Sequence, residues 1–218
     1  DVSEGNKFAV KSKDGCPFDC GLCPQHLRNA CMVVMEITNR CNLRCPICFA
    51  NANTAGYVYD ADLDTIEDMY KTVLKYGCEL SKPTIQISGG EPTIRDDLPQ
   101  ILAMGKELGF DHLMVNTNGI RISKDKRYLH DLKESGADII YLQFDGLSDD
   151  IYMKTRGANL TDTKVKAIKN CAEVGIGVVL VPTVVRDINF NQIGDIIQFA
   201  KRWIPYVRGI HFQPISYF

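Results

Sequence analysis

The stretch Val33-Val34-Met35-Glu36-Ile37-Thr38-Asn39-Arg40-Cys41-Asn42-Leu43-Arg44-Cys45-Pro46-Ile47-Cys48 runs from a short apolar segment straight into a loop with three cysteines. Its first five residues have the apolar, β-branched composition of a strand. A helix is predicted next over 62–75, with Leu63, Ile66, Met69, Tyr70, Val73 and Leu74 on one face. Thr84-Ile85-Gln86-Ile87-Ser88 gives a second strand. The alternation continues through a helix at 98–108 closed by Gly109, a strand at 112–116 and a helix at 126–135 ending before Gly136. A strand at 138–144 and a helix at 161–174 follow, with Thr161 as its N-cap and Gly175 as its stop. A strand at 177–184, a helix at 191–203 and a strand at 209–215 complete the pattern.

Six strands alternating with five helices predict a parallel sheet joined by right-handed crossovers. The strands are nearly continuous apolar runs, as sheets covered on both faces require. Six units cannot close an eight-fold barrel. The expected fold class is α/β, a partial (β/α)6 barrel of parallel strands with helices outside; a flat doubly wound sheet is the alternative. In either, ligands bind at the C-terminal ends of the strands, where the cysteine loop falls. The chain stops at the sixth strand with Phe218, and no helix follows to cover that edge, which predicts the excised core of a longer protein. Residues 1–32 do not fit the alternation; they are expected to form a small cysteine-rich metal-binding appendage, with residues 33–218 as the core.

The chain has 218 residues, 45% hydrophobic and 24% charged, enough to bury a core without disulfide staples and too apolar for a disordered segment. The net charge, 25 − 27 = −2, gives no basic footprint for nucleic acid. No apolar run approaches the ~20 residues of a membrane span, and the polar N-terminus has no signal-peptide core. These features predict a cytoplasmic protein. Seven of its nine cysteines lie between Cys16 and Cys48. Clustered thiols in a reducing compartment predict metal ligands rather than disulfides.

The cysteines divide into two constellations. Cys41, Cys45 and Cys48 form a CxxxCxxC triplet; three thiolates can hold three irons of a [4Fe–4S] cluster and leave the fourth open. An open coordination position marks a reactive site rather than a structural one. Cys16, Cys20 and Cys23 repeat the spacing, and Cys31 supplies a fourth thiolate, enough to close an auxiliary [4Fe–4S] cluster; an all-thiolate zinc site needs the same count. A pairing that mixes the two groups also stays open. His26 reads as a surface histidine, and Cys78 and Cys171 as thiols without a ligand role.

Together with a second motif, Ser88-Gly89-Gly90-Glu91-Pro92 at the end of the second strand, the triplet makes residues 33–218 resemble the radical S-adenosylmethionine (SAM) enzymes. The resemblance implies that SAM chelates the open iron through its amino and carboxylate groups. It also implies a low-potential electron donor such as a ferredoxin, and cleavage of SAM to a 5′-deoxyadenosyl radical that abstracts a substrate hydrogen. The carbonyls of Gly89 and Gly90 are expected to accept from the SAM amino group, since no Cβ intervenes, with Pro92 fixing the turn. Asn116 and Asn118 end the third strand in the family's manner, and Gln143 and Asp145 end the fourth near the expected ribose. Arg156 resembles an arginine that pairs with the SAM carboxylate. Pro182, Val184 and Gln213 are candidate adenine contacts. Where many members carry an aromatic residue before the third cysteine, this chain has Ile47, with Phe49 following. Plainer readings stand beside these: Asn118-Gly119 and Asp145-Gly146 are good turn formers, Arg156 a solvated cation, and His211 a packed strand residue.

The linked runs 15–31 and 38–50 resemble, more narrowly, an archaeal subgroup of the family with an N-terminal extra cluster, that of tetraether lipid synthase. This implies an auxiliary cluster on Cys16, Cys20, Cys23 and Cys31. It implies carbon–carbon bond formation between isoprenoid lipid chains, and peripheral membrane contact through a lipid substrate. The alternative within the class is radical methylation or alkylation of a small substrate such as a pterin. From another class, a non-catalytic electron-transfer or zinc-binding module would use the same cysteines, but would have no need of the Gly89-Gly90-Glu91-Pro92 cradle.

Overall fold

The computed structural model describes residues 32–54, 56–76 and 82–216. The expected appendage at 1–32, with Cys16, Cys20, Cys23, His26 and Cys31, lies outside the described residues apart from Met32, and so does Cys78. Six strands form one all-parallel sheet: β1 (Met32–Glu36), β2 (Thr84–Ser88), β3 (Leu113–Thr117), β4 (Ile139–Gln143), β5 (Gly177–Val181) and β7 (Val207–Ile210). Their spatial order is their chain order. A doubly wound sheet reverses direction at a switch point; a sequential order without reversal is the winding of a (β/α) barrel. The helices are α1 (Leu63–Tyr76), α2 (Leu98–Glu107), α3 (Ile120–Lys124), α4 (Lys126–Glu134), α5 (Asp149–Arg156), α6 (Thr161–Val174) and α7 (Ile193–Lys201).

Strand alternation assigns the two faces. Ile85, Ile87, Leu113, Val115, Ile140, Leu142, Val178 and Leu180 are wholly buried and pack in one core with Ile66, Ile101, Leu102, Ile122, Leu129, Leu132, Ile168 and Ile196 of the helices. Burying each such side chain contributes about 1.5–3 kcal/mol. The opposite face carries the polar Glu36, Gln86, Ser88, Asn116, Tyr141 and Gln143 beside the apolar Val34, Met114, Ile139, Val179 and Val181. One face therefore makes the fold, and the other is left for chemistry.

Five elements differ from the sequence expectation. The strand predicted over 177–184 breaks at Pro182, which has no N–H to continue the ladder. Thr183–Val184 then forms a separate strand, β6, paired with Gln213–Pro214 (β8), so the last predicted strand also divides. Helix α6 begins at Thr161, but its N-cap is Leu160, and the Thr161 N–H donates to Asp149 Oδ1 at 2.9 Å. Helices α3 and α5 were not predicted. The first follows Gly119, whose φ of +82° turns the chain directly out of the strand-end turn. The second buries only Ile151, Tyr152 and Thr155, too few apolar positions to register as a periodic face. Among the described residues no helix is long and apolar enough to cross a membrane.

Candidate active site

The site is built from turns that leave the C-terminal ends of the strands. The cysteine loop leaves β1 and is stapled by Asn53, itself in the left-handed region at φ +68°. Asn53 Oδ1 accepts from the Cys41 N–H at 3.1 Å, and its Nδ2 donates to the carbonyls of Cys41 and Leu43 at 2.8 and 3.0 Å. The Cys48 N–H returns to the Cys45 carbonyl at 3.2 Å. An amide side chain thus does the work of a turn, with donors and acceptors matched on both sides.

The glycine pair after β2 docks against this loop. The Gly90 N–H donates to the Thr38 carbonyl at 2.7 Å and the Glu91 N–H to the Arg40 carbonyl at 2.8 Å. A Cβ on Gly89 would lie 2.2 Å from the Thr38 carbonyl oxygen, and one on Gly90 2.2 Å from that of Arg40. Gly89 also holds φ at +143°. The missing Cβ atoms thus admit the backbone of the cysteine loop, whereas the sequence had suggested that they admit a cofactor. Gly90→Ala is accordingly expected to push the loop away, at a cost of about 1–3 kcal/mol, read as a lowered melting temperature and poorer iron retention.

Glu91 bolts the second and third turns together. Its buried carboxylate accepts from Thr93 N at 3.1 Å, Thr93 Oγ1 at 2.5 Å, Thr117 Oγ1 at 2.7 Å and Asn118 N at 2.7 Å. Although Glu91 borders the cavity, these four bonds engage its carboxylate with the protein. It also caps the 3-10 turn Pro92–Ile94, where Pro92 takes the position that needs no N–H. Asn118 passes the connection on, its Nδ2 donating to Asn42 Oδ1 at 2.7 Å. Three strand ends are thereby locked to one another.

Asp145 and Arg156 form the second anchor. Asp145 is fully buried, and Arg156 grips it in a fork, Nε to Oδ2 at 2.6 Å and one terminal nitrogen to Oδ1 at 3.0 Å. That nitrogen also reaches Thr183 Oγ1 at 3.0 Å, and the Thr183 N–H donates to Asp145 Oδ1 at 3.0 Å. The Asp145 carboxylate is therefore consumed by the protein, against the expectation that it meets a ribose. Burial opposes its charge, but the Arg156 guanidinium and these bonds hold the carboxyl below the usual range. Burial raises the Cys45 thiol, and Arg156 beside it pulls the other way. Burial likewise pushes Cys41 up to about 11, against the opposing bond from the Leu43 N–H. Binding a metal at these thiols must release protons.

These anchors enclose a cavity of about 210 Å³. Cys41, Cys45, Cys48, Phe49, Gly90, Glu91, Asn116, Asn118, Gln143, Arg156 and Gln213 line it, as do Leu43, Ala52, Thr117, Tyr141, Val181 and Thr183, which the sequence did not single out. Ser88, Gly89, Pro92, Asp145, Pro182 and Val184 do not line it. Ser88 instead accepts from Asn116 Nδ2 at 3.2 Å on the open sheet face, where Asn116 Oδ1 takes Gln86 Nε2 at 2.6 Å. Pro182 is buried at the strand break, and its neighbours Val181 and Thr183 face the cavity in its place. His211 is exposed beyond β7, edge-on to the Tyr141 ring and bonded to its hydroxyl, rather than packed in a strand. Cys171 is buried in α6, far from any ligand role. A larger recess of about 760 Å³ opens outside the cysteine loop beside Arg40, Arg44 and Tyr57. It contains Cys41 but neither Cys45 nor Cys48, so the smaller cavity is the site.

The cavity suits an iron–sulfur cluster. Three thiols face it, a soft donor set, and the carboxylate of Glu91 beside them is engaged by its own hydrogen bonds. Among the described residues no three His, Cys, Asp or Glu side chains are placed to hold a single ion. Gln143 Nε2, at the same cavity, is buried with no partner among the described residues.

A sequence model of the radical SAM superfamily matches residues 35–200. The chain belongs to the radical SAM superfamily. The family uses a [4Fe–4S] cluster with SAM. A 7,8-dihydro-6-hydroxymethylpterin dimethyltransferase of Methanocaldococcus jannaschii is 49% identical to this radical SAM chain over 210 residues, 95% of this chain and 41% of that protein. A probable GTP 3′,8-cyclase of Methanococcus maripaludis is 31% identical over 183 residues, 84% of this chain and 59% of its own length. The chain therefore spans only about half the length of these curated relatives. Among solved structures, Streptococcus suis SuiB bound to its precursor peptide superposes with a TM-score of 0.70 at 22% identity, over 86% of this chain and 40% of that one. That likeness confirms the partial-barrel fold. Neither curated relative is named a lipid synthase, so the expected carbon–carbon coupling of lipid chains finds no support in them, whereas the pterin alternative does.

Proposed function

We propose that this radical SAM core uses Cys41, Cys45 and Cys48 to hold a [4Fe–4S] cluster, binds SAM at its open iron, and abstracts hydrogen in the methylation or alkylation of a reduced pterin. The three thiols in one cavity with Arg156 carry the first part of this reading. The pterin dimethyltransferase, 49% identical along almost the whole chain, supports the second. When bound, the cluster supplies the electron that cleaves SAM to methionine and a 5′-deoxyadenosyl radical. The chain's own residues hold and orient. Arg156, pinned by Asp145, presents its remaining donors beside Cys45, where a carboxylate can pair with them. Phe49, Val181 and Leu43 provide apolar surface for an adenine, and the turns bolted by Glu91 keep the cavity in shape.

Anaerobic reconstitution and reduction by dithionite should release 5′-deoxyadenosine from SAM. With a reduced pterin deuterated at the reacting carbon, deuterium should appear in that product; deuterium arriving instead from a labelled isoprenoid lipid would overturn the substrate class. Cys16, Cys20, Cys23 and Cys31 are proposed as ligands of an auxiliary [4Fe–4S] cluster. About eight irons per chain are then expected, against about four with zinc if the second site is structural. A low-potential donor such as a ferredoxin is the proposed electron source.

A further inference from the structure

Lys164, in the first turn of α6, has no solvent exposure, and none of the motifs accounts for it. Its ammonium lies 5.6 Å from the centroid of the Tyr152 ring. It donates to the Asn118 carbonyl oxygen and, at 2.6 Å, to Gln143 Oε1. A buried ammonium held by neutral acceptors is costly. Burial pushes its pKa down to about 7, although Asp145 draws it back up.

This cation decides which way the Gln143 amide faces. The two ends of an amide have nearly the same shape, and only the hydrogen-bond network tells them apart. While Lys164 is protonated, a flipped amide would set its NH2 against the ammonium, donor against donor. Oε1 is therefore committed to Lys164, and Nε2 is the end left over. That nitrogen is shielded from solvent and has no partner among the described residues, while Gln143 itself lines the cavity. A covered donor without an acceptor is a strained arrangement unless a ligand completes it.

We propose that Lys164 is a positioning residue: by holding Gln143 Oε1 it fixes the amide as a donor to an acceptor oxygen of SAM in the cavity. This rests on the reading that the cavity takes SAM.

The test is equilibrium binding of SAM to cluster-loaded protein in a double-mutant cycle, with iron content and melting temperature read on the same samples. Lys164→Met and Gln143→Met should each weaken binding about tenfold, the factor one hydrogen bond supplies. The double variant should bind no more weakly than Gln143→Met alone, because Lys164 acts through that amide. Equal losses from Lys164→Met in both backgrounds, or no loss from it at all, would overturn the proposal. Gln143→Glu keeps Lys164 paired but offers the ligand only acceptors, so it should bind less tightly than Gln143→Met. Should Lys164→Met fail to fold, equal affinity of those two Gln143 variants overturns the proposal. A wild-type protein with its full iron complement that binds no SAM would instead overturn the reading of the cavity.

Discussion

Asp145→Asn is expected to lower the stability of this chain by about 3–5 kcal/mol, because it leaves the Arg156 guanidinium buried without its counter-charge. For a domain of this size the loss corresponds to roughly 10 °C in melting temperature. The carboxylate makes a two-point contact with Arg156 and accepts from the Thr183 N–H, so an amide can replace only part of the set. Asp145→Asn combined with Arg156→Met should recover much of the stability, since removing both members of a buried pair costs far less than removing one. A double variant as unstable as the single would show that the charge pair is not the cause. The pH dependence has a definite sign. The folded carboxyl titrates below its unfolded value of about 3.9. Its contribution is therefore complete above that value and is lost as pH falls through the folded one. Acid unfolding, followed by circular dichroism, should be shallower in Asp145→Asn over that acid range.

Cys45→Ala is expected to abolish cluster binding at the triplet and with it the release of 5′-deoxyadenosine. The fall should exceed ~100-fold, the upper end of what loss of an outer partner costs a metal site. Asn53→Ala is the informative contrast. It leaves all three thiols but removes the three hydrogen bonds that shape the loop, and should cost ~10–100-fold in cluster retention. Iron content after gel filtration and the charge-transfer absorbance of the cluster check both. If Cys45→Ala retained cluster and SAM cleavage at wild-type level, the ligand assignment would fall, whereas Asn53→Ala at wild-type level would show that the loop needs no staple.

The sheet was legible in the sequence because its signal is local. Apolar runs of five residues separated by helical periods predict strands, and every one of the six appears within a few residues of its expected place. The helices that escaped, α3 and α5, are short and carry few buried positions, so periodicity had little to register. The strand break at Pro182 was visible in principle, since proline cannot continue a ladder, but the pairing of Thr183–Val184 with Gln213–Pro214 depends on residues 30 apart in sequence. The cysteine triplet, the glycine pair and Gln143 were likewise readable at strand ends, whereas Arg156, at the end of α5, was singled out only through the family resemblance.

Their partners were not. Glu91 meets Thr117 and Asn118 only after a crossover, and Asn118 meets Asn42 across 76 residues. Lys164 reads in sequence as one more solvated lysine of a helix. By itself the sequence determined the strand–helix alternation, the family resemblance and the clustered thiols, because strand periodicity and metal-ligand spacing are short-range properties of the chain; the winding waited for the strand order. Only the tertiary structure decided which polar groups are left for a ligand, because that depends on which of their neighbours fold back to satisfy them: Asp145 is taken by Arg156, the Glu91 carboxylate by the third strand's turn, and Gln143 Nε2 finds no acceptor among the described residues.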